Sequence, residues 1–323
     1  MQNTTHYNQR LNINELNNTT NLEEAIKNAE HLYISNLLGD EELLSSINSY
    51  LKKYNKKLWL SLNKSTEMNQ ENLKQLRYLT NLKKLKIIVF NGFIEDLSEL
   101  SHIDDLEEFT IYNNVKKGIS LVPLAKFKNL SSLSLYTGLT IKQYAVLNTF
   151  EKLEHLSARE IDFSKLNNLP IKELTVNNKL IHNKLIIEKF PDIEYISLQN
   201  CKDVSIENIA SLPQLSDVRL RYMPHITRLT SFKNKENIFH LECVHLKNLE
   251  NIEAIFELKQ LKYLMITDLE KLKAEDFYRL KELPNLKVAY ITFKSAKEND
   301  KFITFANAHN WIYKQPSLAK TTL

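Results

Sequence analysis

Apolar residues recur every third position along this chain, and the run keeps restarting. Leu97, Leu100, Ile103, Leu106, Phe109 and Ile111 form one such run. Leu249, Ile252, Ile255, Leu258, Leu261, Leu264 and Ile266 form another. A step of three suits neither the 3.6-residue α-helix nor the two-residue strand. It suits 3₁₀ turns, in which residues i and i+3 eclipse. The closing step of two marks a switch into a short strand. The pattern therefore predicts a chain that coils, with one strand and one tight segment in each turn.

The unit L-x-x-L-x-L begins at Leu82, Leu106, Leu130, Leu153, Ile171, Ile193, Leu215, Ile238, Leu261 and Leu286, in steps of 24, 24, 23, 18, 22, 22, 23, 23 and 25 residues. This periodicity resembles the leucine-rich-repeat family, in an irregular bacterial form. The resemblance implies an α/β solenoid, a horseshoe of about twelve coils. A parallel β-sheet would line its concave face, with helical and 3₁₀ segments on the convex face. Such a fold escapes the size limit of a single core because each coil packs only on its neighbours, so 323 residues are expected to form one continuous domain. The family commonly places Asn or Cys three residues after the last apolar position. Here only Asn114 and Cys201 stand there; Gly138, Ile161, Lys179, Met223, Leu246, Leu269 and Lys294 fill other turns. The short step into Ile171, beside Pro170, predicts a shortened coil.

Terminal coils of a solenoid need caps. Residues 1–20 are expected to be an extension without regular structure. Residues 21–80 are read as N-terminal βα capping repeats, with helices opening at Asn21, Asp40 and Asn69 and strands near Leu32–Ile34 and Leu58–Leu62. The repeats proper occupy 81–294. Residues 295–323 form a C-terminal cap: a helix from Ser295 to His309 with Phe302, Phe305 and Ala306 inward, a last strand at Trp311–Tyr313, and a tail beyond Pro316.

The sequence holds no Gly-rich phosphate loop, nucleophile elbow or zinc-binding motif, so no catalytic residue, cofactor or metal is assigned. His240-Leu241-Glu242-Cys243-Val244-His245 places His240 and Glu242 on one strand face and Cys243 on the other, which cannot converge on one ion. The two cysteines fall at inward positions two coils apart, as free thiols suited to a reducing compartment. The net charge of +4 is small and spread, unlike a nucleic-acid footprint. No apolar run is long enough to span a membrane, and the first residues lack the pattern of a secretory signal.

Residues between, after and just before the inward strand positions should face solvent. Read coil by coil, they include Trp59, Tyr112, Tyr136, Arg159, Tyr195, Asp217, Arg219, Arg221, His240, Glu242, Tyr263 and Tyr290. Tyrosine, tryptophan and arginine are enriched in protein interfaces and lysine is depleted. These twelve residues are the candidate surface for a protein partner, and their mixed charge argues against a polyanion. The expected function is non-catalytic protein binding by a chain that is monomeric when free. Its expected setting is a cytoplasmic bacterial inhibitor, such as an immunity protein that holds a toxin. An effector or adaptor binding a host or cellular protein is the alternative, and an enzyme is a minor one.

Overall fold

The computed structural model describes residues 10–13, 21–35, 40–62 and 68–313. Their thirteen strands follow one another in strict chain order across an open sheet, and the neighbouring strands pair in parallel. This is an α/β leucine-rich-repeat solenoid, as the hexads predict. It divides into two compact units, Met1–Ala158 and Arg159–Leu323.

The first unit carries β1 (Arg10–Asn12), β2 (His31–Ser35), β3 (Leu58–Leu62), β4 (Leu82–Ile94), β5 (Glu108–Val115) and β6 (Ser132–Gly138). Two of the three expected helices appear at full length: α1 (Leu22–Asn28) and α2 (Glu41–Lys53). Asn21 and Asp40 cap them by accepting the amide N–H of Glu24 and Leu43, which satisfies donors a helix start leaves open. The third shortens to α3 (Gln70–Leu73), capped by Asn69, and tightens into a 3₁₀ turn over Lys74–Tyr78. β1 lies within the stretch read as an extension and pairs with β2. Later coils cross the back by 3₁₀ turns at Ser98–His102 and Val122–Leu124 and by α4 (Ile141–Leu147). β7 (His155–Asp162) spans the division.

The second unit carries β8 (Glu173–Ile181), β9 (Tyr195–Gln199), β10 (Asp217–Arg221), β11 (His240–Val244), β12 (Tyr263–Leu269) and β13 (Val288–Phe293). Short helices α5 (Ile186–Lys189) and α6 (Ile206–Ala210) and 3₁₀ turns at Glu253–Glu257 and Ala274–Glu282 return the chain between strands. The short coil into Ile171 has a single three-residue 3₁₀ turn, Phe163–Lys165, before the chain reaches β8. The cap helix α7 (Ala296–Ala308) starts at Ser295 and buries Phe302 and Ala306. The expected last strand reduces to one bridge, Ile312 against Val288. The tail beyond Pro316 lies outside the described residues.

Alternation along each strand separates core from surface. Leu85 and Ile87, Phe109 and Ile111, Val218 and Leu220, Leu241 and Cys243, and Leu264 and Ile266 are all buried to 1 % exposure or less. Each such aliphatic or aromatic side chain contributes about 1.5–3 kcal/mol of burial. Where the family's turn residue is present, it bonds across coils: Asn114 Nδ2 donates to the Phe90 carbonyl, and the Cys201 thiol lies 3.6 Å from the Val176 carbonyl. Where it is absent, Ile161, Met223, Leu246 and Leu269 are buried instead. Apolar plugs thus replace the polar ladder at four of these turns.

Candidate functional site

In the second unit the sheet face opposite the core carries an ordered charged cluster. Parallel pairing puts Asp217 beside His240 and Tyr195, and Arg219 beside Glu242 and Ser197. His240 in turn pairs with Tyr263, and Glu242 with Met265. Asp217 accepts from Arg219 Nε at 3.1 Å and from Nη2 at 3.0 Å. Glu242 accepts from Arg221 Nε at 2.6 Å and from Nη2 at 2.9 Å. Both are two-pronged pairs, the strong geometry for a planar guanidinium on a carboxylate. One pair lies along a strand and the other crosses between strands.

Aromatic rings brace the cluster. The Arg219 guanidinium carbon sits 5.0 Å from the centre of the Tyr195 ring. His240 stacks on Tyr263 with centroids 4.9 Å apart, and its Nδ1 lies 3.5 Å from Asp217 Oδ2. Burial holds the His240 pKa below the ordinary imidazole value, against the pull of Asp217. Burial opposes the charge on Arg219 too, but the bond to Asp217 overrides it and keeps that guanidinium firmly protonated. His240 Nε2 and Thr267 Oγ1 are buried without a hydrogen-bond partner among the described residues. His240, expected to face solvent, is instead largely packed into the cluster, 15 % exposed.

Of the twelve sequence-assigned residues, Tyr195, Asp217, Arg219, Arg221, His240, Glu242 and Tyr263 fall in this one cluster. Tyr290 stands beside Met265 on β13, and Arg159 is exposed on β7. Trp59, Tyr112 and Tyr136 belong to the first unit. There Trp59 packs between His31, at 5.6 Å, and the Lys84 ammonium, 4.1 Å over its ring. Tyr112 and Tyr136 meet at 5.3 Å, and burial raises the Tyr112 pKa.

One feature is absent from the sequence reading. At the seventh residue after the unit start, Asn113, Asn200, Tyr222, His245 and Asp268 all take positive φ, between 54° and 64°. The chain leaves the sheet there through a left-handed residue. Asn and Asp tolerate this conformation, whereas for a bulky Tyr it is uncommon. Tyr222 stacks on His245 at 4.6 Å, and His245 Nδ1 lies 2.9 Å from Asp268 Oδ2. These three rungs brace one another at the end of the sheet. The signal available in the sequence was a polar or aromatic residue at a fixed offset, with glycine absent.

No group of three or more metal-ligating side chains occurs among the described residues. Cys201 and Cys243 are buried free thiols, and burial pushes Cys201 up to about 12 and Cys243 upward as well. Such thiols are inert toward nucleophilic chemistry at neutral pH. No described helix is long and apolar enough to cross a membrane.

Repeat, sheet and turn together define the class of fold, a leucine-rich-repeat solenoid. No protein-family profile and no curated protein matches the chain. Among solved structures it is similar to an internalin from Listeria monocytogenes, with 19 % identity over 84 % of this chain and 82 % of that one, at a TM-score of 0.48. It is similar to a leucine-rich-repeat protein from Leptospira interrogans, with 16 % identity over 95 % of each chain and a TM-score of 0.42. A second internalin, C2 of L. monocytogenes, shows 14 % identity over 79 % of this chain and 84 % of that one, at 0.34.

Proposed function

We propose that this chain is a non-catalytic protein-binding scaffold that engages its partner through the open face of the sheet. The observation that carries this reading is that the face is ordered before any partner arrives. Arg219 and Arg221 are locked on Asp217 and Glu242, His240 is stacked on Tyr263, and Lys84 sits over Trp59. Side chains already fixed in one rotamer lose little entropy on association. Tyrosine, tryptophan and arginine held in that way have the composition of interface anchors.

The partner we propose is a toxin or comparable protein whose activity this chain blocks by stoichiometric occupation, as an immunity protein in a bacterial cytoplasm. The free, buried thiols of Cys201 and Cys243 suit a reducing compartment. A surface whose side chains are already ordered suits an inhibitor, because preorganisation limits the cost of binding. A photo-crosslinking amino acid at Tyr112, Tyr195 or Tyr263 tests the surface in the source cell, with exposed Lys128, in the turn that follows Val122–Leu124, and Glu275, in the Ala274–Glu282 turn, as controls outside the strands. Crosslinks to one protein from the sheet-face positions alone support it; crosslinks only from the controls overturn it. Deleting the gene alone and together with its neighbours tests the inhibitor role. The single deletion should be lethal or sensitised unless the cognate toxin gene is also lost. Unimpaired growth on exposure to toxin-producing siblings would favour an adaptor.

A further inference from the structure

We propose that the outer edges of the Arg219 and Arg221 guanidinium groups form the capture point for an acidic segment of the protein partner, gripping its carboxylates between tyrosine walls. The proposal rests on the reading that the open sheet face binds protein, and it names the chemistry recognised there.

A guanidinium offers five N–H donors, and a carboxylate pair takes only two of them. In each pair Nε and Nη2 face the resident carboxylate. Among the described residues no hydrogen bond engages Nη1 of Arg219 or of Arg221, and neither atom is among the buried unpartnered ones. Both therefore reach solvent with their donors uncommitted. In the second pair the carboxylate lies deeper than the cation, with the Glu242 side chain 8 % exposed against 28 % for Arg221, whereas Asp217 and Arg219 are about equally buried at 12 % and 14 %. At Arg221 the pair presents its donor side outward.

The surrounding residues fit the same ligand. Tyr195 covers one face of Arg219. Tyr263, stacked on His240, is only partly exposed. The register neighbours Ser197, Met265 and Thr267 carry no charge. Asp217 and Glu242 balance the two arginines, so the patch lacks the excess positive charge that holds a phosphate chain. Singly charged carboxylates, each met by a preset N–H fork, match both geometry and charge.

The probe is an octaglutamate peptide, with octaglutamine, inorganic phosphate and a single-stranded oligonucleotide as comparators, titrated into the full-length protein. Side-chain NMR resonances of arginine N–H groups report the site, assigned by Arg219→Lys and Arg221→Lys. The double lysine variant keeps charge over Asp217 and Glu242, so the buried carboxylates stay compensated, but it removes the fork. The expected result is saturable shifts of the Arg219 and Arg221 resonances with octaglutamate, none with octaglutamine, and about tenfold weaker binding by the double lysine variant. No shift, equal shifts with octaglutamine, or tighter binding of phosphate or oligonucleotide would overturn the proposal. Crosslinking from Tyr112, Tyr195 or Tyr263 does not depend on this chemistry, so a negative titration beside positive crosslinks would remove the carboxylate capture point alone.

Discussion

Glu242 shows how position decides the worth of a charge. Its side chain is 8 % exposed and both oxygens are held by Arg221. Removing the arginine would strand a buried carboxylate, which costs about 3–5 kcal/mol, whereas removing both partners together need cost little. Arg221→Met should therefore destabilise strongly in chemical denaturation, and Arg221→Met with Glu242→Met should recover most of the loss. Equal destabilisation by the single and double variants would mean that the pair itself, not burial of an orphan charge, sets the energy. His240 makes a second test. Burial depresses its folded pKa, so below the ordinary value of about 6.5 the unfolded chain binds a proton that the folded one refuses. That contribution to stability is complete above about 6.5 and is lost as the pH falls. The effect is limited to about 1.4 kcal/mol per pH unit. In His240→Gln the acid-side decline should be shallower by this amount or less, and identical pH profiles would contradict the assigned environment.

Elements were legible in proportion to how local their causes are. The inward L-x-L pair gave the strands because alternation needs nothing beyond the strand itself. Asn21, Asp40 and Ser295 gave the helix starts because a cap acts within three residues. β4 was less visible. It runs on to Ile94 because Gly92, at φ +94°, lets Met68 pair alongside. A Cβ at Gly92 would lie 2.1 Å from the Met68 carbonyl oxygen. Gly92→Ala should thus combine steric conflict with a conformation costing about 1–3 kcal/mol for a non-glycine residue, seen as a clear drop in melting temperature. An unchanged melting point would show that the end of β4 rearranges freely. The candidate site was legible as a face but not as a network. Asp217, Arg219 and Glu242 could be placed on one side of the sheet from sequence alone. Which arginine takes which carboxylate depends on strand register, and register is fixed only when the coils stack.

Over the whole molecule, the decisive property is that a solenoid is held by neighbours. Its stability is approximately a sum of coil terms and nearest-neighbour interfaces, and here the chain forms two compact units. Phe302 on α7 closes the end of the second. Its ring lies 6.1 Å from Phe277 and 6.2 Å from Phe293, and the side chain is 1 % exposed. Truncating such a ring costs about 3–5 kcal/mol, and in a linear array that loss is felt first where it is made. Phe302→Ala should therefore raise amide hydrogen exchange in β12 and β13, less in β9 and β10, and leave β2 to β6 at wild-type protection. The proposed binding face would then loosen from the cap inward, so on that proposal variants at the cap should weaken partner binding through Tyr263 before Tyr195. Uniform loss of protection along all the strands would instead identify a single cooperative body, in which distance from the lesion confers no shelter.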